Sequence, residues 1–378
     1  MINTTWPKAV LKEIENLKDR RVLLRLDLNL PVNGGEISDL SRLRAVIPFI
    51  EKLSFNGAKV IILSHFGEKG ESIKPVADLL IKSLPFAKFF PSLNFDEINE
   101  ELNHLKSGEI MMLENVRMFD GETDNLPSLA RNLASLGDVF INDAFSVAHR
   151  EHASVVGIPK HLLSYFGPTF EKELSHLSKI ITPKKPALLI LGGSKISTKI
   201  KLIKRYLDQG IKVFVGGALA HNIFKQRGYE IGESLYDKDI ILPANIYNHP
   251  DLIVPIDVVL ANGDKVKLEK IPKDAKIMDC GEKTLVEIMS KLIQESNTII
   301  MNGPLGLYEA GYMHGTERTL AFMAQKPRES TYIGGGDTVS AASSINALDN
   351  IGYVSLGGGA MLEYLANGTL PGIDAVTK

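Results

Sequence analysis

Short apolar runs recur along this chain with amphipathic stretches between them, and that alternation limits the folds open to it. In the first half the runs are "RVLLRL" at 21–26, "GAKVIILS" at 57–64, "EIMMLE" at 109–114 and "GDVFIND" at 137–143. Helical patterning fills "LSRLRAVIPFIEKLS" at 40–54 and "LPSLARNLASLG" at 126–137. Strand alternating with helix predicts an α/β fold whose mostly parallel sheet is covered by helices on both faces. The pattern restarts after residue 185 with "KPALLILGG", "IKVFVGG", "NTIIMNGP", "STYIGGGD" and "GYVSLGGG", where each strand ends in or near glycine. Ligands of open α/β sheets bind beyond the carboxyl ends of the strands, so these ends are the places to search.

A chain of 378 residues exceeds what one hydrophobic core ordinarily supports, and two lobes are expected. The division falls near 160–175, where "GIPKHLLSYFGPTFEKELSHLSKII" combines glycine and proline with a long amphipathic helix suited to joining two lobes. A formal net charge of -2 gives no general attraction to nucleic acid or anionic lipid, so any anion site must be built locally. The single cysteine, Cys280, excludes an intrachain disulfide and a cysteine zinc cluster, and it suits a reducing interior. The N-terminal segment has no apolar leader core and no run approaches eighteen apolar residues; a cytoplasmic protein is expected.

The first half gathers cations at strand ends. In "RLDLN" the period of two sends Arg25, Asp27 and Asn29 to one side and Leu24, Leu26 and Leu28 to the other. Arg42 begins a helix, His65 follows "VIILS", Arg117 follows "MMLEN", and Arg150 and His152 follow "INDAFSVAH". Guanidinium groups converging from several strand ends suit a small ligand carrying carboxylate and phosphate, which the rigid fork meets bidentately. Local spacing leaves His65 open as a satisfied loop histidine, and Asp27 and Asn29 open as turn residues capping backbone amides.

The second half gathers glycine: Gly192 and Gly193, Gly216 and Gly217, Gly334 to Gly336, and Gly357 to Gly359. Without Cβ atoms such backbone can approach a base or present N–H groups to phosphate. Lys195 and Lys199 in "LGGSKISTKI" have the spacing of one helical face; they are either a solvated face or a pair of ammonium groups for a polyphosphate. Asp337 reads as a helix cap or a magnesium ligand, and Glu309 and Asn302 as ordinary loop residues or as contacts to ribose and phosphate. The phosphate loop G-x-x-x-x-G-K-[ST], the G-x-G-x-x-G fingerprint and the H-E-x-x-H zinc motif are all missing.

In chain order, "RLDLNLPVNGGEISDLSRLRAVIP", "LSHFGEKG", "LENVRMF", "GDVFINDAFSVAHREHASVVGIP", "LGGSKISTKI", "MNGPLGLYE", "YIGGGDT" and "GGGAMLEYL" resemble the phosphoglycerate kinase family over essentially the full length. The resemblance implies two Rossmann-like lobes joined by an interlobe helix and hinge. Residues 1–165 would bind 3-phosphoglycerate, residues 166–355 with the interlobe helix would bind nucleotide, and residues 356–378 would carry the last glycine motif and pack back toward the first lobe. It further implies reversible phosphoryl transfer from 1,3-bisphosphoglycerate to ADP, with lobe closure, in a monomer using Mg2+ and ATP/ADP, without nucleic-acid or membrane partners. Alternatives are a noncatalytic nucleotide-binding protein that keeps the fold and an acyl-phosphate kinase of different substrate.

Residue by residue, the resemblance assigns Arg25, Asp27, Asn29, Arg42, His65, Arg117 and Arg150 to the glycerate pocket. It assigns Gly193, Lys195, Lys199, Gly217, Asn302, Glu309, Gly335, Gly336, Asp337 and Thr338 to the nucleotide, with Asp337 on the metal. Arg42, Lys199, Gly358 and Gly359 would serve the transferring phosphoryl. Five positions depart from the family pattern: Glu68 where an arginine is usual, Thr198 for aspartate, Ala218 for glycine, Leu356 for threonine and Met361 for a small polar residue.

Overall fold

The computed structural model describes residues 17–34 and 36–377; the N-terminal segment read for a leader core falls almost wholly outside the described residues. Contacts divide the chain into one unit running to Ser175 and rejoined by Thr369 onward, and a second unit from His176 to Gly368. The sequence placed these divisions at 165/166 and 355/356. The strand Ser164–Phe166 pairs with Val139–Asn142, and the first turns of the helix Pro168–Ile181 follow it, so both belong to the first unit. At the other end, the helix Gly358–Asn367 belongs to the second unit, while Pro371–Thr377 lies on the first through a Gly372 N–H bond to the Ala148 carbonyl at 2.8 Å.

The first unit is a six-stranded, all-parallel sheet in the order Ala87–Phe90, Ile110–Leu113, Lys59–Leu63, Arg21–Arg25, Val139–Asn142, Ser164–Phe166. Its central strand is buried on both faces: Val22 and Leu24 enter one core with Leu26 and Leu28, and Leu23 enters the other with Phe140. Each such aliphatic side chain contributes roughly 2 kcal/mol of transfer free energy. The second unit repeats the design in the order Leu252–Ile253, Lys212–Val215, Ala187–Leu191, Thr298–Asn302, Thr331–Gly334, Tyr353–Ser355. A separate antiparallel sheet of Asp257–Leu260, Lys265–Lys267 and Ile277–Cys280 accompanies it. Strand order reverses between Arg21–Arg25 and Val139–Asn142 in the first unit, and between Ala187–Leu191 and Thr298–Asn302 in the second. A crevice forms at each such switch.

The helix Pro168–Ile181 is moored by a buried acid. Asp143 Oδ1 accepts the Phe170 N–H at 2.8 Å, while Oδ2 is enclosed without a partner. Gly167 is required beside it, because a Cβ there would stand 2.4 Å from the Asp143 carboxyl carbon. Burial pushes the Asp143 carboxyl up from 3.8 to about 7, against the opposing hydrogen bonds from Phe170 and Thr169. Between those two values the folded chain holds the extra proton, so Asp143 costs stability increasingly as pH rises through this window, by roughly 4 kcal/mol at its upper end. Asp143→Asn keeps the acceptor without the charge. Its thermal midpoint is therefore expected to gain several degrees on the native chain between pH 5 and pH 8; melting curves that move in parallel across that range would refute the assignment.

Candidate active site

All seven cationic and polar residues expected in the first unit come together at its switch point. The strand ends at Arg25, whose side chain is fully buried. Arg25 Nε donates to Ser154 Oγ at 3.0 Å, Nη1 to the Leu26 carbonyl at 2.5 Å, and Nη2 lies 3.5 Å from His65 Nδ1. Asp27 takes Arg42 Nη1 at 2.8 Å and the Ser146 hydroxyl at 2.5 Å on the same Oδ2. Asn29 Oδ1 accepts the Gly67 N–H at 2.9 Å, and its carbonyl accepts Arg42 Nη1 at 3.0 Å. Arg42 thus leaves the first turn of the helix Ser41–Phe55 already aimed by two acceptors.

Arg117 sits in a short turn after Ile110–Leu113 and donates to the Gly67 carbonyl. Burial is the main cause that lowers the His65 pKa to about 2, and Arg25, Arg117, Arg150 and Arg42 follow in that order. Burial also lowers Arg150, with Arg117 acting in the same direction and Glu68 and Asp27 opposing. The result is a pocket of positive charge around an uncharged imidazole, suited to a small polyanion. Glu68 does not point away from it: Oε2 stands 3.9 Å from Arg117 Nη1, although the side chain is 89% exposed.

In the second unit, the loop after Ala187–Leu191 corrects one expectation. Residues 192–199 are bends and turn, and the helix begins only at Ile200, so Lys195 and Lys199 do not share a helical face. Ile196 is the reason, since its fully buried side chain pins the loop and its carbonyl accepts the Lys199 N–H at 2.8 Å. Lys195 is left exposed, whereas Lys199 turns inward, is only 8% exposed and donates to the Gly192 carbonyl at 2.5 Å. Burial lowers its pKa to about 8.

A cleft of about 620 Å³ opens beside this loop. Of the expected nucleotide residues, Gly193, Gly217, Glu309 and Asp337 line it, as does Ala218. Gly217, at φ +59°, is confined: a Cβ would come within 2.9 Å of both Gly193 N and the Pro304 carbonyl. Lys195, Lys199, Asn302, Gly335, Gly336, Thr338, Gly358 and Gly359 do not line the cleft. Several of them build its edge. Asn302 Nδ2 donates to the Gly334 carbonyl at 2.9 Å, Thr338 Oγ1 accepts the Gly303 N–H at 2.8 Å, and a Cβ on Gly358 would lie 2.7 Å from Gly335 Cα. Met361 is fully buried, its sulfur packed against Gly334.

The phosphoglycerate kinase family model matches residues 11–368. The chain belongs to the phosphoglycerate kinase family. It is 38% identical to a phosphoglycerate kinase of Staphylococcus epidermidis over 98% of this chain and 99% of that one. It is 38% identical to the Thermosipho africanus phosphoglycerate kinase, with 98% of each chain covered. The solved structure of phosphoglycerate kinase from Coxiella burnetii superposes with a TM-score of 0.82 at 33% identity, covering 96% of this chain and 97% of that one. Family membership and the fold of two Rossmann-like lobes, as read from the motifs, are both borne out.

Other residues of this phosphoglycerate kinase family member went unread in the sequence. Asn115, fully buried, donates to the carbonyls of Phe66 and Glu71 at 2.6 and 2.7 Å and so shapes the loop that carries His65 and Gly67. Ser146 and Ser154 brace Asp27 and Arg25 from distant loops. Leu235, Val258, Met278 and Leu307 give the cleft an apolar wall suited to a planar base. The exposed Asp337, at the second position of the helix Gly336–Ser344, has no bond from another side chain among the described residues. A lone free carboxylate lining this cleft fits magnesium, which takes one or two protein carboxylates and completes its shell with water and phosphate oxygens where a nucleotide supplies them.

Proposed function

We propose that this chain catalyses reversible phosphoryl transfer from 1,3-bisphosphoglycerate to ADP, giving 3-phosphoglycerate and ATP. One observation carries the reading within the family: each unit places a different binding chemistry at its own switch point. The first offers guanidinium groups and an imidazole to a small carboxylate and phosphate, and the second offers a glycine-floored, apolar-walled cleft to a nucleotide. The reading takes Arg25, Asp27, Asn29, Arg42, His65, Arg117 and Arg150 as the glycerate site. It gives Gly193, Lys195, Gly217, Asn302, Glu309, Gly335, Gly336 and Thr338 to the nucleotide.

No nucleophilic side chain is required, because a substrate carboxylate or an ADP phosphate supplies the attacking oxygen. The chain's part is in-line placement and charge compensation of the transferring group. Arg42, Lys199 and the amides of Gly358 and Gly359 perform it, Lys199 being protonated below about pH 8 and first having to leave the Gly192 carbonyl. Asp337 would hold Mg2+ together with the nucleotide phosphates, and the ion would neutralise their oxygens. With the two substrates held on separate units, transfer demands that both be brought into in-line range with water excluded. On this proposal the protein is a cytoplasmic monomer, a reducing compartment being compatible with the buried thiol of Cys280.

Purified protein given magnesium ATP and 3-phosphoglycerate is expected to form ADP and acyl phosphate, with turnover falling about 10²–10³-fold in Arg42→Ala and in Lys199→Ala. Nucleotide binding without transfer would instead identify a noncatalytic relative, and transfer only to another small carboxylate a kinase of different substrate. Glu68 supplies a second expectation. Because it is highly exposed, its effect on Arg117 is screened, so Glu68→Arg should lower KM for 3-phosphoglycerate by no more than about fivefold. An unchanged KM would show that Glu68 does not act on the ligand.

A further inference from the structure

Arg25 is assigned to the glycerate pocket, yet its guanidinium is fully buried and three of its nitrogens are engaged by protein. What it touches on each side defines a different task. On one side stands His65. A guanidinium can only donate, so in this contact His65 Nδ1 is the acceptor and the ring proton resides on Nε2. Nε2 has no protein partner among the described residues and is not enclosed, which leaves it as a directed donor at the pocket opening.

On the other side stands Ser154, itself fully buried, whose hydroxyl accepts from Arg25 Nε at 3.0 Å and donates to Glu122 Oε1 at 2.5 Å. Glu122 Oε2 accepts the Ser154 backbone N–H at 2.9 Å, so one carboxylate holds Ser154 at two points. Glu122 is 1% exposed. Desolvation raises its pKa, and the charge of Arg25 is the largest opposing influence. The segments meeting here are distant in sequence, and each hydrogen bond fixes the direction of the next.

We propose that Glu122 and Ser154 are positioning residues that act through Arg25 to lock His65 as the Nε2–H tautomer, a fixed hydrogen-bond donor to the substrate anion. This rests on the glycerate-pocket reading. Arg25 then serves as the rigid link between a buried carboxylate and the imidazole rather than as a ligand arm. A donor whose proton position is set before the anion arrives does not reorganise on binding, which is how preorganised sites gain affinity. Around the ring, Arg25, Arg117, Arg150 and Arg42 all act against protonation, while Asp27 is held by Arg42 and Ser146. Glu122 and His152 form the layer behind, with His152 Nδ1 3.8 Å from Glu122 Oε1 and its pKa lowered to about 4, first by burial and then by Arg150.

The test is ¹⁵N-histidine NMR of the full chain, with the His65 signals assigned by their loss in His65→Gln. Kinetics for 3-phosphoglycerate are measured on the same samples. The native protein is expected to show His65 as Nε2–H with no titration between pH 5 and pH 8. In Ser154→Ala and Glu122→Gln the ring is expected to populate both tautomers, with KM raised about tenfold and kcat changed far less. Ser154→Ala removes only one hydroxyl, and a single cooperative unfolding transition, at a midpoint lowered by the loss of that bond, separates the effect from misfolding. A native His65 carrying its proton on Nδ1, or variants that keep both the native tautomer and the native KM, would overturn the proposal. A native protein with the Nε2–H signature, whose tautomer shifts in both variants, but without phosphoryl transfer would support the lock and remove the substrate reading instead.

Discussion

A parallel strand buried on both faces can carry polar side chains only at its ends, and ligands of such sheets bind beyond the carboxyl end. Arg21–Arg25 shows the limit of this constraint: Val22, Leu23 and Leu24 fill the two cores, and Arg25, the last strand residue, is still buried. Because a buried guanidinium must be hydrogen-bonded and compensated, the loops around it are committed to that task. Ser154 and Glu122 arrive from one side, His65 from another, and the Leu26 carbonyl from the strand's own continuation. The pocket is therefore an outgrowth of the core.

The second unit meets the same constraint with backbone instead of charge. Around its switch point the chain passes so close to itself that a Cβ on Gly192 would stand 2.0 Å from the Pro304 carbonyl. That closeness brings the glycine loops and the first turn of the helix Gly336–Ser344 to one cleft, leaving Asp337 as a free acid there and Lys199 as a nearby buried cation. Phosphoryl transfer asks for little more than this from a protein: position, fixed dipoles and charge.

Much of this was legible in the residues. The long apolar runs with intervening helices gave both sheets, and cations and glycines recurring at strand ends marked both half-sites. What escaped has physical causes. Ala87–Phe90 and Leu252–Ile253 are short strands at the sheet edges, too brief to show a period. Lys195 and Lys199 have helical spacing, but the burial of Ile196, a tertiary effect, held their segment as a turn. Glu122 and Ser154 left no signal, because they matter through burial against Arg25, and burial of a lone acid leaves no local pattern.

The proposed function divides the labour, one substrate to each unit. Calorimetric titration of 3-phosphoglycerate alone and of magnesium ADP alone into Arg42→Ala and Asp337→Asn tests it directly. A crossed result is expected: Arg42→Ala loses affinity for 3-phosphoglycerate and keeps native affinity for magnesium ADP, and Asp337→Asn does the reverse. Loss of 3-phosphoglycerate binding in Asp337→Asn, or equal weakening of both ligands in either variant, would contradict it.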